Sequence, residues 1–326
     1  MIIDAHGHTV APAEVYAFQA TLLASRGNPI LGRPKISDEK IHAALEGHVK
    51  ILKKVGTDMQ LISPRPFHAM HSIGPARVVH EWTGFINDII ARQVAMYPDI
   101  FRGVASLPQT MEEGVDRAVY ELERCVKEHG FVGCVLNPDP AEGGHPTAPP
   151  LGDEYWYPLY EKLVELDVPA LVHSAACCNP RLSYTLHFIN EESIAVISLL
   201  ESNVFKDFPN LKIIISHGGG AIPYHTGRFR AWRLRKGNEE DFHDALKKLY
   251  YDTCTYNKDA LELLFKIVGP DNVLFGTEKP GTGSGYDPKL GRDLDDLKPV
   301  IESIDFLTAE DKQKVFEDNA RKLYKL

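Results

Sequence analysis

The sequence predicts an α/β fold, a (β/α)8 barrel of the TIM type with an insertion after the first strand. Two observations carry that prediction. Eight short apolar runs alternate with longer amphipathic segments along the chain, the pattern of buried parallel strands and the helices that cover them. Four of the runs lead into a histidine or a glutamate, and functional side chains gathered at strand ends belong to the C-terminal face of a barrel enzyme.

The first run, Ile2 to His8, ends in His6-Gly7-His8. Residues i and i+2 of a strand share a face, so both imidazoles reach one pocket. Thr9 to Ser37 separates this run from the helix carrying Ile51 and Leu52, and holds an apolar segment around Tyr16 to Leu23 before a loop with glycine and proline. Residues 9–37 are therefore expected to be an insertion over the barrel mouth. The second run, Asp58 to Ser63, leads into Pro64-Arg65-Pro66-Phe67-His68 and then an amphipathic segment from Val78 to Tyr97. Phe101 to Leu107 and Phe131 to Asn137 are the third and fourth strands, with Met111 to His129 between them. The loop from Pro138 to Pro150 follows the fourth strand and so falls on the catalytic face. After a helix over Glu154 to Leu166 comes Ala170 to Ser174, which contains His173; its following loop holds Cys177, Cys178, Asn179 and Tyr184, and the next helix is expected over Glu192 to Phe208. The sixth run, Lys212 to His217, enters Gly218-Gly219-Gly220. Tyr250 to Thr255, a helix over Lys258 to Val268, and Val273 to Thr277 followed by Glu278 complete the eight, and Thr308 to Tyr324 closes the chain. No internal repeat is present, and residues 1–326 read as one domain.

With 326 residues, 44% of them hydrophobic, the chain can bury a large core. A formal charge of -9 offers no general attraction to nucleic acid or to an anionic membrane. Five cysteines without a CxxC pair fit a reducing compartment. The first strand begins at the N-terminus in place of a basic leader, and no apolar stretch approaches roughly 18 residues. The expected location is cytoplasmic.

Two imidazoles from strand one, His173 from strand five and the Glu278 carboxylate after strand eight form a nitrogen and oxygen set for one divalent metal, Zn2+ by preference and Mn2+ as the alternative. Such an ion acidifies a water and polarises a substrate oxygen. His173 also reads as a core histidine, and Glu278 as a cap or a partner of Lys279, but four coincidences at strand ends favour a site. His217 is expected to be an acid/base catalyst, with a further metal ligand or a packed turn histidine as the alternatives. An anionic substrate needs local cations, and Arg65, His68 and Arg228 follow strand ends. Arg228 also belongs to a run with Arg230, Arg233 and Arg235 that fits a solvated helix face. Asn179, Tyr184 and Cys177-Cys178 are further candidates for substrate contact or proton delivery.

The segments Asp4-Ala5-His6-Gly7-His8, Val172-His173, Ser216-His217-Gly218-Gly219 and Phe275-Gly276-Thr277-Glu278-Lys279-Pro280 together resemble the amidohydrolase superfamily, in the branch related to aminocarboxymuconate semialdehyde decarboxylase. Most of that branch carries Asp where this chain has Glu278. The substitution, with Ser63-Pro64-Arg65-Pro66-Phe67-His68, looks most like the family's hydratases of protocatechuate 4,5-cleavage. The resemblance implies zinc-dependent addition of water to the double bond of an unsaturated oxo tricarboxylate, and relatives in this branch suggest a homodimer. The alternatives are a nonoxidative decarboxylase of an aromatic or muconate acid, a lactone hydrolase, and a barrel that only binds a metal or a partner.

Overall fold

A computed structural model describes residues 1–326. Eight parallel strands are hydrogen-bonded in sequence order: β1 (Ile3–His8), β2 (Met59–Ser63), β3 (Phe101–Ala105), β4 (Gly133–Leu136), β5 (Ala170–Val172), β6 (Ile213–Ile215), β7 (Tyr250–Asp252) and β8 (Val273–Leu274). The barrel closes where the chain beyond β8 meets β1. Ala5 N donates to Phe275 O at 2.8 Å and Glu278 N to His6 O at 2.6 Å. Each strand falls inside its predicted run, shortened at the ends.

Ile3, Ala5, Met59, Leu61, Val104, Leu171, Ile214 and Leu274 pack together inside the barrel, and the alternate strand residues join the larger core under the helices. On this alternation Asp4 points outward, where it accepts from Gln60 Nε2 at 2.8 Å and Thr277 Oγ1 at 2.6 Å. A register shift between Asp4 and Gly7 then changes the phase of β1. Such a bulge re-aims side chains, and here it turns His6 and His8 into the barrel mouth.

Residues 9–37 carry the helix Ala13–Ser25. It packs on the helix Arg77–Met96, with Phe18 and Phe85 rings 4.8 Å apart, and its Gln19 donates to His68 O at 2.7 Å. The insertion therefore flanks the catalytic face beside the loop after β2. Two helical features depart from expectation. The helix after β5 begins at Tyr184, not at Glu192, because the Ser183 hydroxyl accepts from Leu186 N and caps it eight residues early. Beyond β6, the arginine run lies on a helix, Thr226–Arg235, and a short helix over Phe242–Leu246 follows that the sequence does not predict.

The β2, β3 and β4 ends are joined by His71, whose Nε2 donates to Leu107 O at 3.1 Å while Nδ1 accepts from Asn137 Nδ2 at 2.8 Å. Burial pushes its pKa down from 6.5 to about 4, against smaller opposing effects from Leu107 and Asp139. The unfolded chain therefore binds a proton that the folded chain refuses, and stability falls as pH drops from about 6.5 towards 4. The expected loss from this residue is about 2 kcal/mol between pH 7 and pH 5. Urea unfolding at both pH values should show a smaller acid loss in His71→Gln, and an unchanged difference would remove His71 from the cause.

Candidate active site and metal centre

Four buried donors converge at the barrel mouth. His6, His8, His173 and Glu278 each offer one ligand atom, and these atoms lie within 4.8 Å of one another. The far side of every imidazole is committed: His6 Nδ1 to Asp252 Oδ2 at 2.6 Å, His8 Nδ1 to Ser63 Oγ at 3.2 Å, and His173 Nδ1 to Ser174 O at 2.6 Å. These bonds fix the rings and leave Nε2 facing inward. All three Nε2 atoms are buried with no hydrogen-bond partner, an arrangement that costs free energy unless something fills it. Glu278 Oε1 stands 3.7 Å from His8 Nε2 and 3.8 Å from His173 Nε2. That is too long for a hydrogen bond, and it matches donors that each sit about 2 Å from a shared ion. Burial lowers the pKa of His6 despite its bond to Asp252, and lowers that of His8 to about 3. Both are therefore neutral, the form that ligates metal. The residues fit a divalent cation.

His217 completes the ring of imidazoles. Its Nε2 lies 3.7 Å from Glu278 Oε1, and its Nδ1 meets both oxygens of the fully buried Glu192 at 2.8 and 2.9 Å. Burial opposes a charge on this ring, but Glu192 and Glu278 outweigh it and hold the pKa well above the ordinary value. The glycines after it are a steric requirement. Gly219 has φ +88°, and a Cβ there would come within 2.8 Å of the Tyr251 ring.

Glu278 is ionised: burial would raise its pKa, and His173, His217 and His8 more than reverse that, holding it well below the usual carboxylate range. Its other oxygen accepts from the Tyr256 hydroxyl. His217, Tyr256 and Glu278 all have positive φ without being glycine, at 50°, 56° and 60°. Each costs of order 1 kcal/mol or more, a strain that the surrounding structure must hold and that concentrates at functional sites. Lys279 turns away from Glu278 into a buried pair with Asp295 at 2.5 Å.

A cavity of about 530 Å³ opens over His8 and Glu278 and is walled by Arg65, Phe67, Cys177, Tyr184 and Phe188. A second lobe of about 320 Å³ shares Phe188, Glu278 and Thr282 and runs past His217, Thr255 and Tyr256. Arg65 is the one arginine or lysine in these walls, and its Nε is buried without a partner. Tyr184 faces the cavity from the first turn of its helix, with its hydroxyl 3.2 Å from Thr282 Oγ1.

Three other candidates lie outside both lobes. His68 packs against Tyr16, ring centroids 5.0 Å apart, because its loop turns it towards the insertion. Asn179 bonds its own loop, accepting from Arg181 N at 3.0 Å. Arg228 is exposed on the helix Thr226–Arg235, which carries it on a solvated face. The sequence reading also passed over Asp252, Glu192 and Tyr256. Asp252 ends β7 and was available to the strand-end rule; Glu192 and Tyr256 carried no local signal.

Comparisons with known proteins agree on one family. The Amidohydrolase family model matches residues 3–326. The 2-keto-4-carboxy-3-hexenedioate hydratase of Sphingobium sp. strain SYK-6 is 40% identical over 99% of this chain and 96% of its own length. The crystal structure of 4-oxalomesaconate hydratase from Rhodopseudomonas palustris is 39% identical with a TM-score of 0.89, covering 100% of this chain and 96% of that one. More distant is a dihydroxybenzoic acid decarboxylase from Polaromonas sp. JS666, whose structure holds manganese and 2-nitroresorcinol. It is 26% identical with a TM-score of 0.76, covering 100% of this chain and 97% of that one.

Proposed function

The chain belongs to the amidohydrolase family, and from that premise we propose that it is a hydratase, adding water to the carbon–carbon double bond of 4-oxalomesaconate to give 4-carboxy-4-hydroxy-2-oxoadipate in protocatechuate catabolism. One observation carries the choice of hydration over decarboxylation. Glu278 stands where the resemblance expects Asp, and its ionised carboxylate reaches the floor of the cavity with Oε1 beside three imidazole nitrogens. The full-length likeness to hydratases supports the same choice.

His6, His8, His173 and Glu278 would hold the metal, for which we propose Zn2+. When bound, it supplies an acidified water and polarises a substrate oxygen. The remaining chemistry falls to the chain. The Glu278 carboxylate accepts a proton from the attacking water, and Tyr256 holds its Oε2 so that the group keeps its aim. Addition of hydroxide to an alkene conjugated with carbonyls leaves an enolate. Protonated His217, fixed by Glu192, faces that charge and carries a proton on Nε2. The proton completes the balance at the neighbouring carbon, so water is added without any other reagent.

Arg65 binds a substrate carboxylate, and the hydroxyls of Tyr184 and Thr282 lie on the same cavity wall. Arg65→Ala should lower kcat/KM by about 10 to 100-fold, the worth of a charge-assisted hydrogen bond. Arg65→Lys should recover only part of that loss because the planar fork is gone. Steady-state kinetics measure both, and unchanged constants in Arg65→Ala would place Arg65 outside the site.

No helix is long and apolar enough to cross a membrane, and all five cysteines are free; a cytoplasmic location is part of this proposal. Its direct test is a substrate panel. Purified protein loaded with Zn2+ should consume 4-oxalomesaconate, with loss of its conjugated absorbance, and leave dihydroxybenzoates untouched. The reverse preference would assign the site to decarboxylation.

A further inference from the structure

We propose that Asp139, His187 and Glu191 form a second divalent-cation site, which fastens the loop after β4 to the helix after β5. His187 and Glu191 stand one turn apart on the helix Tyr184–Leu200, and Asp139 approaches from the 138–150 loop. Their ligand atoms lie within 4.8 Å of one another, a separate cluster from the four donors at the barrel mouth.

The decisive observation is the state of His187. Its ring is 0% exposed, and neither Nδ1 nor Nε2 has a hydrogen-bond partner. Nδ1 is 4.0 Å from Glu191 Oε1. A histidine bonded directly to a carboxylate would sit at about 2.7 to 3.2 Å. Two donors that each stand about 2.1 Å from a shared ion are instead roughly 3 to 4 Å apart. The unpaired ring and its distance from the carboxylate thus have one common explanation in an ion between them.

Charge points the same way. Asp139 is 9% exposed and accepts from Ala141 N at 3.1 Å and Gly143 N at 2.6 Å, which aims the carboxylate from a braced loop. No lysine or arginine pairs with Asp139 or Glu191. Two carboxylates this close lack a cation. One nitrogen and two carboxylates suit Zn2+ or Mn2+, with water completing the shell. The same helix carries Tyr184, Phe188 and Glu192 of the active site, so a cation here would brace one wall of the substrate cavity.

The test is a metal count on the whole chain. Protein stripped with chelator, reloaded with Zn2+ or Mn2+ alone and freed of excess should retain two equivalents by mass spectrometry. Glu191→Gln and His187→Phe should each retain one. His6→Ala should also retain one, with the loss at the other centre, so failure at either site is told apart from failure at the other. Crystals of the Mn2+ form should show an anomalous peak among Asp139, His187 and Glu191. Fewer than two equivalents in the wild type, or two that persist in Glu191→Gln, overturns the proposal. Glu191→Gln keeps the test valid if His187→Phe does not fold.

Discussion

Glu278→Gln should lose about 100 to 10,000-fold in kcat, the range expected when a general base is removed, while most of the metal stays bound. The amide keeps the size of the side chain and one oxygen for the ion, but it cannot accept the proton of water. Tyr256 and the imidazoles would still hold it in place, since Oε2 accepts from the Tyr256 hydroxyl and Oε1 faces His8, His173 and His217. Kinetics paired with metal analysis of the same sample separate the two roles. Loss of metal in proportion to activity would reduce Glu278 to a ligand. Glu278→Asp should retain metal and also lose rate, because the shorter arm withdraws Oε1 from the cavity floor.

His6→Ala and His173→Ala should each remove the active-site metal and, with it, measurable activity. The fold should survive, because the sixty-three-residue core cluster lies under the helices and excludes both histidines. Far-UV circular dichroism with metal analysis checks this directly. A graded version comes from Asp252→Asn. Asp252 sets the His6 ring through its 2.6 Å bond to Nδ1, and loss of such an outer partner lowers metal affinity about 10 to 100-fold. Full activity of a rigorously metal-free preparation would contradict the metal centre as a whole.

The barrel was legible because buried parallel strands are continuous apolar runs, and the strand-end rule located His6, His8, His173, His217 and Glu278 without knowledge of tertiary contacts. On β1, strand alternation puts His6 and His8 on the right face for an incomplete reason. Simple alternation would place Asp4 with His6 and His8, whereas the register shift sends Asp4 outward to Gln60 and Thr277. Residues off the strand ends were less readable. Tyr184-Thr185-Leu186-His187 has no clear helical period and so does not announce the first turn, and Glu192, eight residues on, is the buried partner of His217. Arg65, His68 and Arg228 are equivalent in sequence as basic residues after strands. Only the loop geometry distinguishes them: Arg65 faces the cavity, His68 packs against Tyr16, and Arg228 faces solvent. Tyr256 was invisible because its contact with Glu278 joins two loops twenty-two residues apart.

Isotope labelling shows whether this site adds water to an alkene. The reaction of Zn2+-loaded protein with 4-oxalomesaconate is run in oxygen-18 water and the product analysed by mass spectrometry. The oxo group, which exchanges with water on its own, is reduced with borohydride before isolation, and an unreacted-substrate control measures its label. The product should carry one oxygen-18 at the new carbinol carbon beyond that control, with no release of carbon dioxide. Carbon dioxide released without label at that carbon would contradict it.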